Sequence, residues 1–161
     1  MVIRIGLLVS VVLLCPYRAT AECIVAPPAF FAEHATIVFS GTVTKVDPVA
    51  PLAWSRAQLA TFKVDRVWKG GVRRQFDVYS YTRAFERYPL RAGTRYLVFA
   101  YVAGEEERVD LKLAQRQAFV IGQCGGGTRE FPASASATNR RSYEYSPQEI
   151  AELGPGTIPW C

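Results

Sequence analysis

The sequence predicts an all-β fold, a small antiparallel barrel of five strands with one or two short flanking helices. Three observations carry that prediction. Five stretches rich in β-branched and aromatic residues recur along the chain, separated by Gly, Pro or charged segments. Nothing between them has the alternating strand and helix rhythm of a parallel sheet. The first stretch, "ATIVFSGTVTKVD" at 35–47, also carries a glycine, Gly41, inside a strand pattern. A long barrel strand that pairs with neighbours on both sides has to bend sharply, and an interior glycine marks such a bend or a bulge.

The chain opens with "MVIRIGLLVSVVLLCPYRATAEC", one early charge at Arg4, an apolar run from Ile5 to Cys15 and the triplet Ala19, Thr20, Ala21. This reads as a secretory signal peptide over 1–21, cleaved after Ala21. The run is too short for a transmembrane anchor, which needs about 20 apolar residues. Neither Cys15 nor Cys23 follows the small residue that lipid attachment requires. The expectation is therefore a secreted or periplasmic protein whose residues 22–161 form one domain, the barrel over about 35–128 and a C-terminal extension beyond it.

Within that domain "PPAFFAEHA" (27–35) is a proline-started helical turn leading into the first strand, on which Ile37, Phe39 and Val43 share a face with Gly41. The other strands are "LATFKVDRVWKG" (59–70), "QFDVYSY" (75–81), "TRYLVFAYV" (94–102) and "RQAFVIGQC" (116–124), with "VDLKLA" (109–114) starting the last hairpin. The "EEE" at 105–107 reads as solvated charge in a turn. "REFPASASATNRRS" (129–142) is small and polar and reads as a loose connection. Ser146, Pro147, Glu149 and Gly154 supply an N-cap, a first-turn proline, a capping-box acid and a stop, so a helix is predicted over 147–153.

Charge and cysteines narrow the function classes. The chain carries 19 basic and 14 acidic residues, and removing Arg4 and Arg18 with the leader leaves a net charge of +3. That mild excess lacks the dense basic footprint of a nucleic-acid binder. Cys23, Cys124 and Cys161 would face an oxidising compartment, where three thiols allow one disulfide and one leftover, with all three pairings open.

Three stretches, "IVFSGTVTKVD", "TFKVDRVWKG" and "GTRYLVFAY" followed by "GQCGGGT", in that order and spacing, resemble bacterial members of the netrin-like superfamily. Its best known branch is the tissue inhibitors of metalloproteinases, and the likeness runs from about Cys23 to Thr128. The resemblance implies an OB-fold, a five-stranded Greek-key barrel, exported and tied at its N-terminus to the sheet by disulfides. It also implies a protein partner, a zinc metalloprotease first among them, whose open zinc position the inhibitors fill with the free amine and carbonyl of an N-terminal cysteine.

"AECIVAPP" resembles the family's C-x-C-A-P-P opening, with Cys23 as first cysteine and Val25 in place of the second. The cysteine expected before "G-x-x-Y-L-V" is missing as well. These two losses leave Cys23 and Cys124 as the pair that the resemblance implies, with Cys161 as the alternative partner. A Cys23–Cys124 bridge would close a loop of about a hundred residues and contribute about 4–5 kcal/mol on the chain-entropy model. Cleavage after Ala21 leaves Glu22 in front of Cys23, which puts the chelating nitrogen into a peptide bond. Contact of Glu22 and Cys23 with a target's zinc then needs another geometry.

No catalytic residues, resident metal or cofactor are expected. "GQCGG" (122–126) has the outline of a nucleophile elbow, but that motif needs a strand-turn-helix setting and a histidine base. The single histidine, His34, lies far off in the sequence and reads as a surface or helix-end residue. A second candidate surface is "YSYTRAFERYPLRAGTRY" (79–96), where Tyr79, Tyr81 and Tyr88 alternate with Arg83, Arg87, Arg91 and Arg95. It suits an acidic glycan or an anionic envelope surface, although arginine stems also cover rings with no partner involved. Trp68 reads as packing at the end of the second strand, while Trp54 and Trp160 are assigned no function.

Overall fold

The computed structural model describes residues 26–49, 55–83, 90–113, 117–121, 128–130 and 145–160. The leader 1–21, Glu22, Trp54, Arg87, Tyr88 and all four cysteines lie outside those residues.

In chain order the elements are α1 (Pro28–His34), β1 (Ile37–Val49), β2 (Ser55–Lys69), β3 (Gln75–Arg83), β4 (Arg95–Val102), α2 (Glu105–Asp110), β5 (Phe119–Ile121), β6 (Thr128–Glu130) and α3 (Pro147–Ala151). Five strands close on themselves in the order β1-β2-β3-β5-β4, with β4 returning to β1. All pairings are antiparallel except β3 with β5, where Tyr79 faces Val120 and Ser80 faces Ile121. This is an all-β, OB-like closed barrel. Closure removes the exposed strand edges that an open sheet would present.

Gly41 is what lets β1 serve two neighbours. Residues Ile37–Thr42 pair with β4 on one edge while the stretch from Val38 to Val49 pairs with β2 on the other. A Cβ at Gly41 would stand 2.6 Å from the Lys63 carbonyl oxygen and 3.1 Å from the Val64 Cα. The β1–β2 register slips at this point, Ser40 facing Arg66 and Gly41 facing Val64, so Asp65 is an extra residue that bends β2 around β1. Two further slips leave Trp68 unpaired on β2 and Thr44 unpaired on β1.

The barrel interior is filled from every strand by side chains including Phe39, Val43, Phe62, Val64, Val67, Val78, Tyr96, Val98 and Ile121. Phe39 meets Phe62 edge to face at 5.3 Å and Phe76 at 5.8 Å, and Phe76 meets Phe119 at 5.3 Å. Burying each such ring stabilises the fold by about 1.5–3 kcal/mol, and the edge-to-face contacts add about 0.5–1.5 kcal/mol each. A smaller cluster of Ala57, Ala103, Leu111, Ala118 and Val120 packs beneath the end of α2.

The third cluster lies on the other face of β1 and β4. Val38, Leu97 and Phe99 point away from the barrel interior and are covered by Phe31 and Ala32 of α1, by Tyr145, and by Ile150 and Leu153 at α3. Trp68, beside the last residue of β2, packs on this cluster, and its indole N–H donates to the Gly154 carbonyl at 2.9 Å. The bulge that frees Trp68 from the ladder also aims it at the C-terminal segment.

Several expectations change in detail. The described residues form three short helices rather than one or two. Residues 105–107, read as a charged turn, form the first turn of α2, and residues 109–113 of "VDLKLA" supply the helix end and a turn instead of a strand. Three glutamates beside the exposed amides of a helix start are favoured by the helix dipole. Leu111 is buried and Leu113 packs on the same cluster while Val109 is exposed, so the apparent alternation came from residues docked just past a helix end. Residues 128–130, placed partly in the loose connection, form β6 on the β4 edge. α3 ends at Ala151, two residues before the predicted helix end at 153, but its capping box is complete: Glu149 N–H donates to Ser146 Oγ at 3.0 Å and Ser146 N–H donates to the Glu149 carboxylate at 2.6 Å.

Candidate binding surface

The N-terminal approach to the barrel is held by α1. Phe31 packs against Phe99 with ring centroids 5.8 Å apart. Lys69 Nζ donates to the carbonyls of Ala32 and Glu33, both at 2.9 Å, placing a cation on the last turn, where unpaired carbonyls concentrate negative charge. His34 ends the helix, its Nδ1 2.9 Å from the Phe30 carbonyl oxygen, and its ring lies on Phe30 at 4.9 Å. It is an exposed helix-end residue, as expected.

Phe99 marks a second feature. Along the β4 edge Ile121 faces Ala100, and the next described pair is Thr128 with Val98. With Cys124 between them in sequence and outside the described residues, β5 therefore ends and β6 begins on either side of Phe99 along this edge. The helix that continues from the Cys23 segment sits on the same residue.

The arginine and tyrosine residues are spread out. Tyr81 and Arg83 lie on β3, facing Ala57 and Ser55 in the ladder. Tyr79 is half-buried against the cluster beneath α2. Through Val120 it aligns with Tyr101, six residues along β4 from Arg95, a distance of about 20 Å in an extended strand. Arg95 donates from Nε to Asp65 Oδ2 at 3.0 Å, an ion pair made possible by the β2 bulge. Arg91 is exposed, and its backbone N–H donates to the Tyr96 hydroxyl at 3.1 Å. Tyr96 itself is in the core. Burial on β4 pushes the Tyr101 phenol above its ordinary value of 10.0.

A group that received no role from the sequence gathers along residues 154–160. Thr157 exchanges two backbone hydrogen bonds with Val67, at 2.8 and 2.6 Å, and Trp160 bridges to Arg73. This strap occupies the β2 edge beyond the end of the β3 ladder. The Arg73 guanidinium stands 5.0 Å from the centre of the Trp160 ring. The signal available was "GTIPW", two large apolar residues flanking a proline, near the end of a chain that also carries the pair Arg73–Arg74. The two are 84 positions apart or more, so their meeting is a tertiary fact.

Among the described residues no three His, Cys, Asp or Glu side chains gather to hold a metal, and no helix is long and apolar enough to cross a membrane. No protein-family model matches the chain, and no curated protein is significantly similar to it.

Proposed function

We propose that this chain is an exported, non-enzymatic binding domain of the netrin-like type, which contacts a protein partner through the N-terminal segment that precedes α1. The carrying observation is the seat of α1 on Phe99, the β4 residue between the end of β5 and the start of β6. Cys23 stands five residues before Pro28 and Cys124 three after Ile121, tethers of about 17 and 10 Å at full extension. Both tethers start from elements beside Phe99, which supports a bridge between the two at the Cα separation of about 4.4–6.8 Å that a disulfide needs. The rival Cys161 follows Trp160 beside Arg73. β5 runs parallel to β3 and leaves from Ser80, about 20 Å further along the strand.

A bridge between Cys23 and Cys124 would hold residues 22–27 against the barrel as a short, pre-organised contact segment, which lowers the ordering cost of binding. A zinc metalloprotease is the partner class that the sequence resemblance names. With Glu22 in front of Cys23, the amine that would chelate zinc is an amide, so the processed chain engages such a partner without the amine–zinc contact. The alternative, an acidic-glycan surface of arginines and tyrosines, draws its support from exposed Arg91, since Arg95 is paired with Asp65 and Tyr79 is packed.

The test compares chains starting at Glu22 and at Cys23 against a panel of secreted zinc metalloproteases, reading binding and inhibition separately. The expected result is one-to-one binding by both chains, with inhibition at least tenfold stronger from the chain starting at Cys23. Absence of binding by both would refute the reading.

A further inference from the structure

The strap formed by residues 154–160 presents a composite face that the barrel does not need. Pro159 is buried, while Ile158 and Trp160 on either side of it are 83% and 54% exposed. With Thr157 and Trp160 bridged to the barrel and Pro159 turned inward, both large apolar side chains stand open to solvent. Arginines surround them. Arg66 lies across Gly156, where an added Cβ would stand 2.7 and 2.9 Å from its Cγ and Cδ. Arg73 covers the Trp160 ring, and exposed Arg74 donates its backbone N–H to the Trp160 carbonyl at 3.2 Å. Of the acids near these residues in sequence, Asp65 is engaged by Arg95 and Asp77 accepts from the Thr61 hydroxyl, while Glu152 is exposed at the end of α3.

We propose that this face docks the domain onto an anionic lipid bilayer. Ile158 and Trp160 enter the boundary between headgroups and acyl chains, and Arg66, Arg73 and Arg74 pair with lipid phosphates. Two features favour a bilayer over an acidic polymer. A glycan or acidic peptide satisfies the arginines and the ring but offers nothing to an isoleucine left almost wholly in water. An anionic interface takes all three chemistries at once: an aliphatic side chain below, an indole at headgroup level, and guanidinium groups whose long stems reach back to phosphate. The inference concerns a different face from the N-terminal contact segment and stands or falls separately from it.

The test is flotation with vesicles of phosphatidylglycerol and phosphatidylcholine in equal parts, against phosphatidylcholine alone, with dextran sulfate retention run in parallel. The chain is used without residues 1–21, whose apolar run would bind lipid by itself; the described elements all lie downstream of it. The expected result is salt-sensitive binding to the anionic vesicles and weak binding to the neutral ones. Changing Arg66, Arg73 and Arg74 together to Gln should cost about fivefold per charge. Ile158→Ser should weaken vesicle binding about tenfold or more and leave dextran sulfate retention unchanged. Because Ile158 is so exposed, that variant should melt with the parent chain. No binding to anionic vesicles, equal binding by the Ile158→Ser chain, or retention on the polymer with none on vesicles would each overturn the proposal.

Discussion

Substituting Gly41 by alanine tests the geometry on which barrel closure depends. The added methyl would lie 2.6 Å from the Lys63 carbonyl oxygen and 3.2 Å from its carbonyl carbon. Both are backbone atoms of the paired strand and cannot rotate away, so β1 and β2 must separate locally by roughly 0.8 Å to restore ordinary contact. Overpacking of this kind costs about 1–3 kcal/mol, and a weakened ladder bond adds about 1 kcal/mol. Alanine stiffens the unfolded chain and returns about 0.4–1 kcal/mol. The net loss should be about 1.5–3 kcal/mol, a fall in Tm of about 5–12 °C for a domain of this size. Gly93→Ala separates clash from backbone conformation, because Gly93 has a φ of +80° and nothing within 4 Å of an added Cβ. It should cost about 1–2 kcal/mol through the left-handed backbone alone. Thermal melts and urea midpoints of the two variants give the comparison. A Gly41→Ala chain that melts with or above the parent would refute the close approach of β1 to β2, and with it the reason for a glycine in that strand.

Three further outcomes follow from named contacts. Trp68→Phe keeps an aromatic side chain at the site, smaller than the indole, and removes the donor to the Gly154 carbonyl. It should cost about 0.5–1.5 kcal/mol and speed amide exchange over 145–160 more than in the barrel. Ser146→Ala removes one arm of the capping box and should cost about 0.5–2 kcal/mol, read as faster exchange at the Glu149 amide and a lower melting temperature. Tyr101 has its phenol pKa raised by burial. Its neutral form is thus favoured by folding, and the associated stability is fully present below the unfolded value near 10 and lost as pH rises through the higher folded value. Urea midpoints across that alkaline window should fall more steeply for the parent than for Tyr101→Phe.

The barrel was legible because its strands keep a period of two and because Gly41 breaks the pattern for a reason that only a doubly paired strand supplies. The helix α3 was legible from Ser146, Pro147 and Glu149, which act within one turn. The bulges were signalled more faintly, by phase slips in the apolar alternation: Phe62, Val64 and then Val67 on β2, and Val43 and then Val46 on β1. Each spacing of three marks an extra residue, Asp65 and Thr44 respectively. The role of α2 was missed because Leu111, Lys112 and Leu113 alternate like a strand, although the acidic start at 105–107 is a helix signal. The candidate surfaces were least legible. That Asp65 meets Arg95, that α1 sits on Phe99, and that Trp160 meets Arg73 all depend on pairings between segments far apart in the chain.

The most direct measurement on the proposed N-terminal contact segment is the intact mass of the exported protein, unreduced and after thiol alkylation, with peptide mapping of its first residues and cysteines. The expected chain begins at Glu22, carries a Cys23–Cys124 bridge and takes one alkyl group, at Cys161. A chain in which Cys23 is alkylated while Cys124 and Cys161 are joined would leave the N-terminal segment untethered and contradict the proposal.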